Sequence, residues 1–118
     1  MEITDPTAFA AEQRTRLDDA RVFLDLEGKA EELEGLREKA SEPDLWDDPN
    51  EARIISQRLA RYESLFDKVD GLASQIEDAE VLLELAAEAD DAESRAEAVE
   101  LLRGAAGSLG ELELESLF

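Results

Sequence analysis

The amino-acid sequence predicts an all-α protein, an elongated antiparallel three-helix bundle of coiled-coil type whose first helix is kinked near residues 25–28. Ala and Leu each occur 18 times in the 118 residues, whereas aromatic residues make up only 5%. Both residue types favour helices. Apolar residues also recur at steps of three and four, which is the helical period. A chain of this length is expected to form a single helical domain, residues 1–118.

The first helix is expected to begin at Pro6, because Asp5 can cap it and proline suits the first helical position. Two apolar series follow that do not share one stripe. They meet at the segment Asp25-Leu26-Glu27-Gly28, so we expect a break there and helices over about 6–24 and 26–40. The first series is Phe9, Leu17, Ala20 and Leu24; the second is Val22, Leu26, Ala30, Leu33, Leu36 and Ala40.

A long helix is predicted over about 49–89, after Pro43 ends the preceding one. Asp48, Pro49 and Glu51 form a strong start signal. Its apolar residues repeat at alternating steps of four and three, with one acidic interruption at Glu80, and a second line widens the stripe enough to contact two neighbouring helices. The first line is Ile55, Leu59, Tyr62, Phe66, Val69, Ala73, Ile76, Glu80 and Leu83; the second is Leu65, Leu72, Ala79 and Ala86.

The last helix is predicted over about 91–116, with Asp90 as its cap and Glu93 completing a reciprocal pair. Its apolar positions include Val99, Leu102, Ala106, Leu109 and Leu112. Three glycines lie inside it, at Gly104, Gly107 and Gly110. Either they weaken a fraying end of the helix, or their shared face admits a close approach of another backbone.

The charge and the missing residue types exclude several functions. Twelve Lys and Arg against 32 Asp and Glu give a net charge of −20. Binding to duplex nucleic acid or to an anionic membrane depends on basic residues, so neither is expected. The chain has no Cys and no His, which excludes thiolate and imidazole catalysis, disulfides and the usual zinc sites. It also lacks a membrane-spanning run and a secretory signal, so we expect a cytoplasmic protein.

The abundant carboxylates do not indicate a catalytic or metal site. No twelve-residue window has the pattern of an EF-hand. Helix capping accounts for Asp47, Asp48, Asp90 and Asp91 without a bound metal. A hydrolase with paired carboxylates needs a cleft, which the helical pattern does not indicate. We therefore expect no enzyme activity, no metal and no cofactor.

Two surface patches are candidates for binding a partner. The first is acidic and lies at the predicted turn between the last two helices; it is either a solvated turn or an electrostatic docking surface. The second combines Trp46 with a basic stretch. The indole either plugs the open end of a helix hairpin together with Leu45 or is an exposed anchor for a partner. The acidic patch is Glu84, Glu88, Asp90, Asp91 and Glu93; the second is Trp46, Arg53, Arg58 and Arg61.

The order of these segments resembles the N-terminal domain of bacterial peptide chain release factor 2. The resemblance covers about Leu17 to Phe118. It is carried by Leu24-Asp25-Leu26, by the helix from Leu33 to Ala40, and most specifically by two turns. The turns are Asp44-Leu45-Trp46-Asp47-Asp48-Pro49 and, further on, Leu83-Glu84-Leu85-Ala86-Ala87-Glu88-Ala89-Asp90-Asp91. Release factor 1 lacks the tryptophan turn and is a poorer match.

The resemblance implies a role in translation termination at UAA and UGA codons. In that family, a Ser-Pro-Phe tripeptide recognises the codon and a Gly-Gly-Gln loop promotes peptidyl-tRNA hydrolysis. Neither motif occurs in this chain, so no residue of either kind can be assigned here. The apolar ending Leu117-Phe118 is unusual in so acidic a chain, and we expect the natural protein to continue beyond it.

The family's helical domain reaches the large-subunit stalk base of the ribosome, near the site of the GTPase release factor 3. We therefore expect a monomeric accessory docking domain that contacts the stalk base through the turn from Glu84 to Glu93. The alternative is a free-standing acidic coiled-coil adaptor or chaperone subunit that associates with itself through its heptads.

Overall fold

The computed structural model describes residues 2–118, and every regular element in them is helical. The helices are α1 (Pro6–Phe23), α2 (Leu26–Ala40), α3 (Pro49–Ala89) and α4 (Ala92–Glu115), with a short 3-10 helix (Pro43–Asp47) between α2 and α3. The predicted all-α class is confirmed, and α1 is separated from α2 where the sequence indicated a break.

The chain divides into two compact units. The first unit, Met1–Leu24 and Val69–Phe118, contains α1, the later part of α3 and α4; the second unit, Asp25–Lys68, contains α2, the 3-10 helix and the first part of α3. The single domain and the single elongated bundle stay predictions, and each unit is described by itself.

The core of the first unit is built from one face of each of its helices. The α1 face recurs at steps of four and three, and α1 packs directly on α4. Small residues at many inner positions allow this close approach. The buried residues are Pro6, Ala10, Gln13, Leu17 and Ala20 in α1; Val69, Leu72, Ile76, Ala79 and Ala86 in α3; and Ala98, Leu102, Ala105, Leu109 and Leu112 in α4.

The second unit has a smaller core of leucine, isoleucine and alanine. Leu26, Leu33 and Leu36 of α2 are buried, as are Ala52 and Ile55 of α3. One expected member is wrong, because Val22 is 80% exposed. It belongs to α1, and the break after that helix takes it out of register with the apolar stripe of α2. A second expected member, Ala30 of α2, is also exposed.

Two aspartates adopt left-handed backbone conformations at the helix junctions. Asp25 and Asp90 both have φ of 50°, a region in which aspartate is better tolerated than most residues. Asp90 follows the end of α3, where the Asp91 amide donates to the Ala86 carbonyl at 3.0 Å. This six-to-one hydrogen bond is the closing contact of a Schellman motif.

The predicted cap of the last helix is wrong by one residue. Asp91, not Asp90, is the N-cap of α4. The Asp90 backbone is committed to ending α3, so its neighbour is the first residue with the extended conformation that an N-cap needs. At the start of α3 the predicted cap Asp48 agrees with the structure, since the Glu51 amide donates to Asp48 Oδ1 at 3.2 Å.

The three glycines of α4 do not interrupt it, and the helix continues unbroken to Glu115. Only Gly104 faces a close neighbour, because a Cβ there would lie 2.9 Å from Gln75 Nε2. That amide nitrogen donates to the Leu101 carbonyl at 2.7 Å. Gly104 therefore leaves room for a side chain of α3 to reach the backbone of α4, whereas a Cβ on Gly107 would meet open space.

A glycine comparison within α2 tests the Asp25 cap. The Gly28 amide donates to Asp25 Oδ1 at 3.2 Å, and a Cβ on Gly28 would collide with that carboxylate. We expect Gly28→Ala to leave the free energy of unfolding nearly unchanged, because the methyl group displaces the Asp25 carboxylate and the lost cap, about 1 kcal/mol, offsets the helix-propensity gain of alanine over glycine. Chemical unfolding followed by circular dichroism measures the change.

Gly35→Ala is the matched control, because a Cβ at this position in the same helix meets nothing within 4 Å. It should raise the free energy of unfolding by about 0.5–1 kcal/mol through helix propensity. Equal stabilisation by the two substitutions would contradict the role assigned to the contact between Asp25 and Gly28.

Candidate functional site

The acidic patch forms the turn between α3 and α4, and all five of its residues are exposed: Glu84, Glu88, Asp90, Asp91 and Glu93. Glu84 and Glu88 are one helical turn apart at the end of α3, so their carboxylates share a face. Glu93 lies in the first turn of α4. The structure therefore brings the predicted residues together at one end of the first unit.

Within the patch, Asp91 has a structural role. Its Oδ1 accepts from the amides of Glu93 at 3.1 Å and Ser94 at 3.3 Å, and its Oδ2 accepts from the Ser94 hydroxyl at 2.7 Å. The Ser94 hydroxyl and amide lower the pKa of the Asp91 carboxyl below its ordinary value, because they stabilise the ionised form. Asp91 therefore stays negative and fixes the turn, while the glutamates present their charge to solvent.

Two arginines of α1 fasten the helices of this unit together. Arg14 Nε donates to Glu80 Oε2 at 3.0 Å, and Arg16 Nε donates to Glu113 Oε2 at 3.1 Å, each with a second bond from Nη2 to the same carboxylate. Glu80 is the acidic interruption in the apolar stripe of α3. Its partner explains it, since α1 supplies a guanidinium where a hydrophobic residue would otherwise pack.

Sequence reasoning missed Gln13, the buried polar side chain of α1. It is 1% exposed, and its Oε1 accepts from Arg16 Nη1 at 2.8 Å. The signal was its position, since Ala10, Gln13 and Leu17 follow the helical steps of the buried face. Gln13 therefore holds the Arg16 guanidinium while that group binds Glu113.

The second patch belongs to the second unit. Trp46 is 63% exposed, so the interpretation of its indole as a buried plug is wrong; only Leu45 is half-buried in that turn. Leu45 and Trp46 are consecutive residues of a 3-10 helix with three residues per turn, so their side chains point in different directions. Arg53, Arg58 and Arg61 are exposed on α3, and the interpretation of the exposed indole as an anchor for a partner stays a prediction.

A shallow pocket of about 180 Å³ lies beside this basic stretch. It is lined by Arg58 and Tyr62 of α3 and by Glu32 and Lys39 of α2. The Tyr62 hydroxyl donates to Glu32 Oε2 at 2.7 Å. This hydrogen bond is the largest cause of the raised pKa of the phenol. Charges of both signs line the pocket, so it favours neither an anionic nor a cationic ligand.

Residues 2–118 contain no group of three or more carboxylates arranged to hold a metal ion. In the same described part of the chain, no helix is both long and apolar enough to cross a lipid bilayer. Several carboxylates instead cap helices or bind an arginine, and Glu32 accepts from the Tyr62 hydroxyl.

Comparison with known proteins places the chain in a defined class. The chain belongs to the PCRF domain family, whose profile matches residues 29–118. Among individual proteins, it is similar to peptide chain release factor 2 of several bacteria, and the resemblance drawn from the sequence is confirmed.

The similarity is substantial but covers only part of each relative. The chain is 35% identical to release factor 2 of Kineococcus radiotolerans over 117 residues, 99% of this chain and 32% of that protein. It is 42% identical to the protein of Pseudarthrobacter chlorophenolicus over 93 residues, 79% and 25% of the two chains. For Yersinia pseudotuberculosis the identity is 36% over 98 residues, 83% and 27%. The chain thus spans between a quarter and a third of these relatives.

The ion pair between Arg16 and Glu113 gives a pH-dependent stability. Its hydrogen bond from Arg16 lowers the pKa of the Glu113 carboxyl below the ordinary value of 4.5. The contribution is present above the unfolded-state pKa and is lost as the pH falls through the lower folded-state pKa. We therefore expect Glu113→Gln to destabilise the chain at neutral pH and to lose this effect in acid. The Glu113 side chain is 39% exposed, so the cost should stay below about 1 kcal/mol.

Urea unfolding of both proteins at neutral and acid pH measures this difference. Glu111→Gln is the control, since Glu111 is an exposed glutamate of the same helix. If Glu113→Gln lowers the free energy of unfolding as much in acid as at neutral pH, the ion pair is not the source of the destabilisation.

Proposed function

We propose that this chain is the ribosome-docking domain of a class I release factor of the release factor 2 type, acting in the cytoplasm in termination at UAA and UGA codons. The observation that carries the proposal is its match to the PCRF family and to proteins named release factor 2. In this proposal the domain is a monomer that takes no cofactor and has no catalytic activity of its own.

The acidic patch is the proposed contact surface, and the large-subunit stalk base, near release factor 3, is the proposed partner. The first unit has five Lys or Arg and nineteen Asp or Glu, a net charge of −14. A surface of this charge is repelled by exposed rRNA phosphates and attracted to ribosomal protein rich in Lys and Arg. The fixed Asp91 turn favours binding, because less conformational entropy is lost when a rigid surface docks.

The alternative adaptor function predicts a different solution behaviour. An adaptor that self-associates through its heptads would gain helix content as its concentration rises. In the structure, the heptad positions Val69 and Ile76 of α3 are buried in the first unit, and Leu83 packs against its core. This burial favours the monomeric docking domain, and sedimentation at increasing concentration distinguishes the two.

Charge reversal tests the docking surface. We expect the triple substitution Glu84→Lys, Glu88→Lys and Glu93→Lys to weaken binding of the chain to isolated large ribosomal subunits at least about tenfold at low salt, because it turns attraction into repulsion. Asp91 is kept because it caps α4. Asp90 is kept because its backbone is left-handed. Co-sedimentation with large subunits over a salt series measures the affinity.

The matched control reverses three exposed glutamates of α2, with Glu31→Lys, Glu34→Lys and Glu38→Lys. It changes the net charge equally but leaves the acidic patch intact, so its affinity should stay within about threefold of the unmodified chain. Equal losses in both triple variants would refute a specific contact. A larger loss from Arg53→Glu, Arg58→Glu and Arg61→Glu would move the docking surface to the second patch.

A further inference from the structure

An open apolar groove of about 550 Å³ lies between α1 and the later part of α3, inside the first unit. Its apolar lining comes from Ala10, Ala11, Val81, Leu83 and Ala87. Three of these five side chains are alanine methyl groups. The groove therefore exists because small residues face each other across the two helices at this level.

The groove is open to solvent at three of its apolar lining residues. Ala11 and Ala87 are exposed, and Val81 is 51% exposed. Sites for small molecules enclose most of the ligand surface, and this groove does not. Its lining runs along α3 from Glu77 to Ala87, about 15 Å of helix. An open, apolar trough of that length matches two to three turns of a partner helix.

The rim of the groove is acidic. Glu77 and Glu84 both line it and are exposed. They are seven residues apart and therefore lie on one side of α3. Glu80, between them, is held by Arg14. Glu84 also belongs to the acidic patch, so the groove and the patch form one continuous negative surface.

We propose that this groove binds one amphipathic helix of a basic partner protein, with the apolar face of that helix on the alanines and Val81 and its Lys or Arg side chains beside Glu77 and Glu84. The inference rests on the proposed docking function, because it specifies the chemistry of the partner. The apolar floor supplies contact area, and the acidic rim selects a cationic helix over an acidic one.

Filling the groove tests the proposal without a change in charge. The probe is a capped peptide of about 14 residues that contains only Leu and Lys, with Leu at the i, i+3, i+4, i+7 spacing. Ala87→Trp should weaken its binding at least about tenfold. Ala96→Trp is the matched control, an exposed alanine of α4 outside the groove, and should bind within about twofold of the unmodified chain. Isothermal titration calorimetry measures both, and circular dichroism checks that helix content is unchanged.

Two further comparisons separate groove binding from simple charge attraction. A peptide of the same composition with Leu and Lys alternating cannot form the apolar helical face, so it should bind at least about tenfold more weakly. Glu77→Gln with Glu84→Gln should weaken binding more than Glu100→Gln with Glu111→Gln, two exposed glutamates of α4. Equal binding by the two peptides, or by Ala87→Trp and Ala96→Trp, would overturn the groove proposal.

Large ribosomal subunits distinguish this inference from the function on which it rests. The docking function and the groove proposal are both supported if Ala87→Trp and the acidic-patch triple variant each lose affinity for the subunits. If only the triple variant loses affinity, docking stands and the groove is not the contact. If neither does, the acidic patch is not the docking surface, and peptide binding alone then decides whether the groove accepts a basic helix.

Discussion

The first unit depends on close packing between helix faces lined with alanine. Ala20, Ala79, Ala98 and Ala105 are completely buried, and a larger side chain at these positions would push the helices apart. Leu17, Leu102 and Leu109 are buried with them, each contributing about 1.5–3 kcal/mol relative to an exposed side chain. This packing has to overcome the mutual repulsion of a chain of charge −20. The few basic residues are correspondingly well used, since Arg14 and Arg16 each bind a carboxylate on a different helix.

The turn between α3 and α4 has a fixed backbone, while its glutamates stay exposed to solvent. Asp90 ends α3 through its left-handed backbone, and Asp91 caps α4 through its side chain. The glutamates around them make no comparable contribution to the turn. Their charge is therefore presented from a fixed backbone, which suits a surface that binds a partner electrostatically.

Most of the helical architecture could be predicted because its signals are local. Asp5, Pro6, Asp48 and Pro49 mark helix starts by their own chemistry, and the steps of three and four identify the buried face of α3. The features that were predicted wrongly or not at all depend on tertiary context or on one residue of register. Two adjacent aspartates look alike as caps, and only the backbone conformation of Asp90 assigns the role to Asp91. The exposure of Trp46, the burial of Gln13 and the pairing of Glu80 with Arg14 depend on which elements meet, which one helix period does not reveal. The acidic patch was predictable as a cluster because its members are neighbours in sequence, whereas the groove joins α1 to a segment about seventy residues away.

The distribution of aromatic residues gives the two units different optical signals. The single tryptophan and the single tyrosine, Trp46 and Tyr62, both lie in the second unit, so intrinsic fluorescence reports on that unit alone. Helical circular dichroism comes from both units. If the two units unfold as one cooperative body, the two signals change together; if they unfold separately, fluorescence follows only the second unit. The natural chain thus carries its own label for measuring how strongly its halves are coupled.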